Sequence, residues 1–366
     1  MKILLITNKV KTYALGFQNV INVLNQSGHT IVWAADFSSF VGNRDSIPCV
    51  IEQISVNTNP FHPNNIKAFF QLCRIIKKHQ IKAIQCSTPI GSLLGRLAGK
   101  RMNVLPVIYA AHGFLFFKGA PFINRTLYKW EEQWLAHYTD VLMTITEEDY
   151  KAAQGFKLRS GRKPYLIHGA GVKVGVHPES DRNEKRKSIN VPQDAFMIVS
   201  AGELNKNKNT QVIVKALQYI DNAHYVACGV GPEEKRLKNL SVKLGVADRF
   251  HMLGYRTDMP EIMACADVYT MMSFREGMPR GVLEAMDLGL PCVGSDTRGV
   301  RDLIDPKGGF ICNPRNAMAF SKAFKDLCNN PDLRKEMGEH NKKKVYMYSV
   351  DVVIKELKKI YKETLS

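Results

Sequence analysis

The 366-residue chain repeats one pattern nearly from end to end: a short apolar run, a longer amphipathic stretch, then another apolar run. Ile3–Thr7, Thr30–Ala35, Ala83–Cys86, Pro106–Ala110 and Val141–Ile145 are nearly continuous apolar segments, as strands covered on both faces should be. Between them, Gly16–Gln26 places Phe17, Val20, Ile21 and Leu24 on one helical face, and further helices are predicted at Ile66–Lys78, Ile90–Lys100 and the aromatic Asn124–His137. Such an alternation cannot make hairpins. It makes right-handed crossovers and a parallel sheet with helices on both faces.

The pattern then starts again. Strands are predicted at Phe196–Ala201, His224–Gly229, Phe250–Leu253, Val268–Met272 and Pro291–Ser295. The helices between them are Thr210–Tyr219, Glu233–Leu244, Pro260–Cys265 and Gly281–Leu288. The break falls between Ile167 and Asn190, where permissive His168-Gly169-Ala170-Gly171 and the charged run Asp181–Lys187 read as a linker or surface excursion. A chain this long exceeds a single ordinary core. The expected division is 1–170 and 171–344, followed by an amphipathic helix, 345–366, that carries Val350, Val353, Ile354, Leu357, Ile360 and Tyr361 at helical spacing. Periodicity does not say which domain that helix joins. Two doubly wound sheets in tandem place the strand C-termini, where such sheets bind ligands, in a position to face one another across a cleft.

Composition narrows the class. With 45% apolar and 23% charged residues, the chain is neither disordered nor fibrous. No apolar run approaches the ~18–20 residues that cross a bilayer. The opening Met1–Thr7 stops short of the ~7–15 apolar residues of a leader's core and reads better as a first strand. Eight scattered cysteines without a Cys-x-x-Cys pair argue for reduced thiols in the cytoplasm. The net charge is +17 and uneven: residues 1–170 hold 20 basic and 9 acidic side chains, a net of +11. That excess points to an anionic partner: nucleic acid, a membrane face or a phosphorylated substrate.

The most informative segment is Ser273-Phe274-Arg275-Glu276-Gly277-Met278-Pro279-Arg280-Gly281-Val282-Leu283-Glu284. It leads from a strand end through a Gly/Pro loop into a helix. Gly277 and Gly281 permit close backbone approach, and Pro279 suits a helix start. The free N–H groups and dipole of that helix start make an anion site for a phosphate. Glu276 in the loop and Glu284 on the helix are spaced to bond different hydroxyls of one elongated ligand.

This segment resembles the Glu-x7-Glu signature of the retaining, nucleotide-sugar-dependent glycosyltransferases of family 4, and the likeness spans most of the chain. The other matching stretches are Ala111-His112-Gly113-Phe114 with the loop to Pro121, Tyr138–Tyr150, Gly202-Glu203-Leu204-Asn205-Lys206-Asn207-Lys208-Asn209, and Thr297-Arg298-Gly299-Val300 through Ile304. The resemblance is strongest to the bacterial branch that builds capsular polysaccharide, exopolysaccharide and lipid-linked glycans. It implies the α/β GT-B fold, two Rossmann-like doubly wound domains around a central cleft. It also implies transfer of a hexose or N-acetylhexosamine from a nucleotide sugar, with a UDP-sugar the leading class, to an undecaprenyl-diphosphate-linked acceptor.

By the same resemblance, Glu276 contacts the donor sugar, the backbone of Gly277 and Met278, next to Pro279, approaches sugar and distal phosphate, and Glu284 holds the ribose. Lys208 neutralises the diphosphate, with Lys206 beside it, and His112 lies near the sugar. One position departs from the pattern: Glu203 stands where the family has an arginine. Lys206, Arg275 or Arg280 must then supply the second phosphate cation, or the diphosphate is held differently. No Asp-x-Asp cluster appears where one would hold a metal, and no carboxylate is poised as a nucleophile. The expectation is a transferase with no metal or other cofactor, and the family resemblance implies front-face displacement in which the donor's phosphate oxygen takes the acceptor proton.

The acceptor belongs on the first domain, where Lys9, Gly16, Phe116 and Lys118 are the candidate contacts. Aromatics interleaved with cations, from Phe114 through Trp134, suit a lipid–water interface and a lipid-diphosphate head group. The protein is thus expected at the inner, anionic face of the cell membrane. The rivals are a nucleotide-sugar epimerase or hydrolase on the same fold, which would need further acid/base carboxylates, and a nucleic-acid-binding or -modifying protein. The latter fits the charge but brings no helix-turn-helix, RNA-recognition signature or zinc finger, so no nucleic acid is expected.

Overall fold

The computed structural model describes residues 1–177, 179 and 181–365. It divides into two compact units, Met1–Gly171 joined by the segment from Val350, and Val172–Ser349.

Among the described residues, the first unit has a seven-stranded sheet of β1 (Lys2–Lys9), β2 (Thr30–Asp36), β3 (Val50–Gln53), β4 (Ala83–Ser87), β5 (Val107–Ala111), β6 (Val141–Thr144) and β7 (Tyr165–Leu166). Its order is β3-β2-β1-β4-β5-β6-β7, with every pair parallel. The helices are α1 (Leu15–Gln26), α2 (Asn64–His79), α3 (Pro89–Met102), α4 (Lys129–Ala136) and α5 (Glu147–Ala153). The five residues before α4, Asn124–Tyr128, wind as a π-helix. Apolar runs predicted as strands are buried: Ile3, Leu4, Leu5 and Ile6 have almost no exposed surface. The edge strands β3 and β7 escaped the sequence reading because they are short and only partly covered, so no continuous apolar run marks them.

In the second unit the helices begin with α6 (Arg182–Ser188). Next are α7 (Gln211–Ala216), α8 (Glu234–Lys243) and α9 (Met259–Ala264), and then α10 (Arg280–Asp287), α11 (Arg298–Leu303), α12 (Ala317–Asn329) and α13 (Pro331–Val345). The strands are β8 (Phe196–Ala201), β9 (Ala223–Cys228), β10 (Phe250–Gly254), β11 (Val268–Met271), β12 (Cys292–Ser295) and β13 (Gly309–Cys312). They form a parallel sheet in the order β10-β9-β8-β11-β12-β13.

The charged run Asp181–Lys187 is no linker. Asp181 caps α6, accepting from the backbone N–H groups of Asn183 and Glu184. Arg186 turns inward, is fully buried, bonds the carbonyls of Cys265 and Ala195 and pairs with Asp267 at 2.7 Å. A buried guanidinium needs this many partners, and a reading of charge as surface could not anticipate them.

The last helix, α14 (Val350–Leu365), starts at Val350 rather than Val345, because Val345 ends α13 and Tyr346–Tyr348 is a 3-10 turn. It packs on α1, buries Val353, Leu357, Ile360 and Tyr361, and bonds Gln85 of β4 through the Tyr361 hydroxyl at 2.7 Å.

Candidate functional site

In both sheets the strand order reverses once, between β1 and β4 and between β8 and β11. Crossovers leave a crevice at such a point, beyond the strand C-termini. The second unit's candidate residues gather there. The loop after β8 carries Glu203, Lys206 and Lys208, and the loop after β11 carries Glu276, Gly277, Met278 and Pro279.

These two loops are laced together. Phe274 N–H donates to the Asn207 carbonyl at 2.8 Å, and Asn207 Nδ2 returns a bond to the Arg275 carbonyl at 3.1 Å. Asn209 is buried with φ +56°, and its amide bonds the carbonyls of Met272 and Pro314. The result is a short ion pair: Lys208 Nζ lies 2.8 Å from Glu276 Oε1, both side chains mostly buried. A Cβ on Gly202 would sit 3.2 Å from Lys208 Cε, so the glycine leaves room for the lysine stem. A third loop closes on the same place. Arg298 at the start of α11 donates Nε–H to the Glu276 carbonyl at 3.3 Å, and a Cβ on Gly299 would lie 1.2 Å from the Gly277 oxygen. Only glycine permits that approach.

Glu284 projects from the second turn of α10, half-buried, and pairs with the more exposed Arg280 at 2.9 Å. Desolvation raises its carboxyl pKa, and Arg280 opposes the shift. Pro279 sits at the N-cap of α10, one residue before the helix proper. Glu203 and Lys206 are exposed on the β8 loop. Asn209 and Arg298 were not singled out by the sequence reading; the signal available was an asparagine where a left-handed backbone is needed.

In the first unit, Lys9 ends β1, exposed, and His112 follows β5. The His112 ring reaches solvent, yet desolvation by the protein around it holds the imidazole below its ordinary pKa. Gly16 faces Ala170, whose Cβ would be 3.1 Å from a Cβ added there, so it serves close packing. Lys118 is exposed, with its backbone N–H bonded to Glu148 at 2.7 Å. Phe116 is a correction. It is 8% exposed and stacks on Phe114 at 4.9 Å in the core, because the loop folds its rings inward where they gain more than in water. The exposed apolar side chains lie farther on, at Phe122, Ile123, Leu127, Trp130 and Trp134.

Beside His112, a cavity of about 250 Å³ opens among Asn8, Tyr109, Gly113, Tyr128, Glu131 and Glu132. Its wall is set by Arg96 of α3, which is buried, pairs with Glu132 at 2.7 Å and stacks over the Tyr109 ring at 4.2 Å. Burial, with the neighbouring Glu132 adding to it, raises the Glu131 pKa. No helix among the described residues is long and apolar enough to cross a membrane.

Comparison with known proteins agrees with this architecture. Residues 181–344 match the family model "Glycosyl transferases group 1", and residues 2–145 match "Glycosyl transferase 4-like". The chain is 34% identical over 327 residues to the "Putative glycosyltransferase EpsD" of Bacillus subtilis, covering 86% of each protein. It is 26% identical over 269 residues, 71% of this chain and 70% of the other, to the Escherichia coli "UDP-Gal:alpha-D-GlcNAc-diphosphoundecaprenol alpha-1,3-galactosyltransferase". Among solved structures, Anabaena Alr3699/HepE in complex with UDP and glucose superimposes with a TM-score of 0.79 at 17% identity, covering 99% of this chain and 100% of that one.

Proposed function

Because this chain belongs to the group 1 glycosyl transferases, two Rossmann-like domains of the GT-B fold, we propose that it is a retaining enzyme of surface-polysaccharide assembly. In this reading it moves a hexose or N-acetylhexosamine from a UDP-sugar to an undecaprenyl-diphosphate-linked glycan. The Escherichia coli relative, named for a UDP-galactose donor and a diphosphoundecaprenol acceptor, supports the choice of both substrates.

The observation that carries the reading is the Lys208–Glu276 pair at the switch point of the second sheet. Breaking the anomeric C–O bond builds negative charge on the diphosphate and positive character on the sugar. A fixed ammonium stabilises the first and a fixed carboxylate, bonded to sugar hydroxyls, orients the second. Their mutual contact at 2.8 Å fixes the positions of both groups at the switch point. The acceptor oxygen forms its bond to the anomeric carbon on the face the diphosphate leaves, and its proton passes to the departing phosphate oxygen. No metal has a part in these steps.

The exposed Phe122, Ile123, Leu127, Trp130 and Trp134, with Arg125 and Lys129 among them, support a peripheral seat on an anionic bilayer. The deciding experiment is a donor screen that reads UDP release, with and without a lipid-diphosphate-linked sugar, repeated in EDTA. Acceptor-dependent release with one UDP-sugar, unchanged by the chelator, is the expected result. Release independent of any acceptor would replace transfer by hydrolysis.

A further inference from the structure

The helix that borders the first unit's cavity has its polarity turned round. α4 continues directly from the π-helical turn Asn124–Tyr128. Along this stretch Tyr128, Glu131 and Glu132, spaced i, i+3 and i+4, share a face and line the 250 Å³ cavity, while Leu127, Trp130 and Trp134 are exposed. A helix that merely covered a core would do the reverse. Glu132 has a structural reason to face inward, since Arg96 at 2.7 Å and the Tyr109 hydroxyl at 3.1 Å hold it. Glu131 has none. Half-buried beside the Glu132 charge, its carboxylate has no hydrogen-bond or ion-pair partner among the described residues. A carboxylate partly withdrawn from water without a partner costs stability, and a ligand that completes its bonding must bring donors.

The rest of the lining says what that ligand is. Asn8, near the end of β1, accepts at Oδ1 from the Thr88 hydroxyl at 2.9 Å and from the Gly91 N–H at 2.6 Å. Both lone pairs of that oxygen are thereby used, and the two Nδ2 donors have no partner among the described residues. The cavity thus offers one free carboxylate and one free amide at the first sheet's switch point, where open sheets of this kind bind ligands. Much of the remaining wall is apolar, from Pro60, Ile90 and Leu115 with the Tyr128 ring. No lysine or arginine is among the described lining residues, and Arg96 already balances Glu132. A phosphate, sulfate or carboxylate would be repelled there with no free cation to meet it. At about 250 Å³ the cavity is smaller than drug-sized sites and suits one ring rather than a chain. Hydroxyl or amide donors on a compact body with apolar C–H faces describe a single uncharged sugar.

We propose that this cavity takes the terminal sugar of the acceptor, that this sugar is uncharged, and that Glu131 is the residue that selects it over a uronic acid. This rests on the glycan acceptor of the reading above and narrows it to a substrate class. Glu131 accepts from two hydroxyls, or from one hydroxyl and an acetamido N–H, and Asn8 Nδ2 donates to a sugar oxygen. A ring that carries its own carboxylate would have to give up water to stand against the Glu131 charge. The lipid and its diphosphate remain outside the cavity, so the selection acts on the sugar alone.

Saturation-transfer NMR with methyl glycosides tests the cavity without any need for turnover. The probes are methyl glucoside, methyl galactoside and their 2-acetamido forms, with methyl glucuronide and methyl galacturonide as acidic partners. At least one neutral glycoside should take up saturation from wild-type protein and lose most of it in Glu131→Ala, and neither uronide should take up any. Glu131→Gln breaks no bond among the described residues and should keep the melting temperature. In that variant the uronide of the same configuration should bind within about threefold of its neutral partner. Overturning results are no neutral glycoside bound, neutral and acidic probes bound alike by wild type, or a preference unchanged in Glu131→Gln. In the UDP-release assay, wild-type kcat/KM should favour a lipid-diphosphate acceptor ending in a neutral sugar over its uronic-acid counterpart by about 30-fold or more. Glu131→Gln should close most of that gap through the acceptor KM, with the donor KM unchanged; a gap left intact also overturns the proposal. Failure of the underlying reading looks different: no acceptor would stimulate UDP release, while the glycoside probes would still decide whether the cavity takes a neutral sugar.

Discussion

Lys208 and Glu276 stand 68 positions apart in the chain, yet the ammonium of one lies 2.8 Å from a carboxylate oxygen of the other, each just past the C-terminus of one of two neighbouring strands. The pair is mostly buried, so neither charge is strongly screened by water.

Replacing the lysine should therefore be felt in the chemical step. Lys208→Ala is expected to lower turnover by about 10²–10³-fold, the usual loss when one preorganised charge partner is removed, with a much smaller change in donor KM. Steady-state UDP release at saturating donor checks it; turnover within threefold of wild type would remove Lys208 from that role.

The exposed aromatic segment makes a second expectation. The protein should pellet with anionic liposomes at low salt and release near 1 M salt, where screening shortens to about 3 Å. Phe122→Ser/Trp130→Ser, at side chains 72% and 63% exposed, should weaken pelleting by about tenfold or more. Phe116→Leu, at a buried ring, should leave it unchanged. Equal pelleting of wild type and the double variant would clear this segment of the contact.

The buried Arg96–Glu132 pair fixes α4 against α3. Arg96→Met leaves the Glu132 carboxylate without its cation, with the Tyr109 hydroxyl still donating to it at 3.1 Å, and should cost about 3–5 kcal/mol, roughly 10 °C in the first unit's melting temperature. Adding Glu132→Gln should recover much of the loss. Calorimetric melting of the two variants measures both effects, and a single variant as stable as wild type would show the pair to be dispensable.

His168 anchors α14 to the segment after β7. Its Nδ1 lies 2.5 Å from Glu356 Oε1, and that hydrogen bond is the main cause of a raised imidazole pKa, opposed by desolvation. A raised folded-state pKa stabilises the fold fully below the ordinary histidine value of about 6.5 and loses that contribution as pH rises through the folded-state value. The melting-temperature gap between wild type and His168→Gln should accordingly be widest near pH 5.5 and narrow toward pH 8.5. A gap that is constant or grows with pH would contradict the pairing.

Much of this was written in the order of residues. Continuous apolar runs such as Ile3–Thr7 have only one cheap solution, a strand covered on both sides, and their alternation with helical stripes leaves a parallel sheet. The segment from Ser273 to Glu284 pointed to its chemistry because its glycines, proline and two glutamates, in a strand-loop-helix setting, resemble a family signature. Position along the chain could not reveal which charges go inside. Arg186 and Arg96 look like surface residues until Asp267 and Glu132 arrive from distant elements to accept their hydrogen bonds. Phe116 and Trp130 look alike as letters, but loop geometry buries the first and leaves the second in water. By itself, then, the sequence determined the layering and the family. Tertiary structure alone decided which cations became internal struts, which aromatics were left facing outward, and that Lys208 should meet Glu276, because each depends on contacts between residues that only folding brings within a few ångströms.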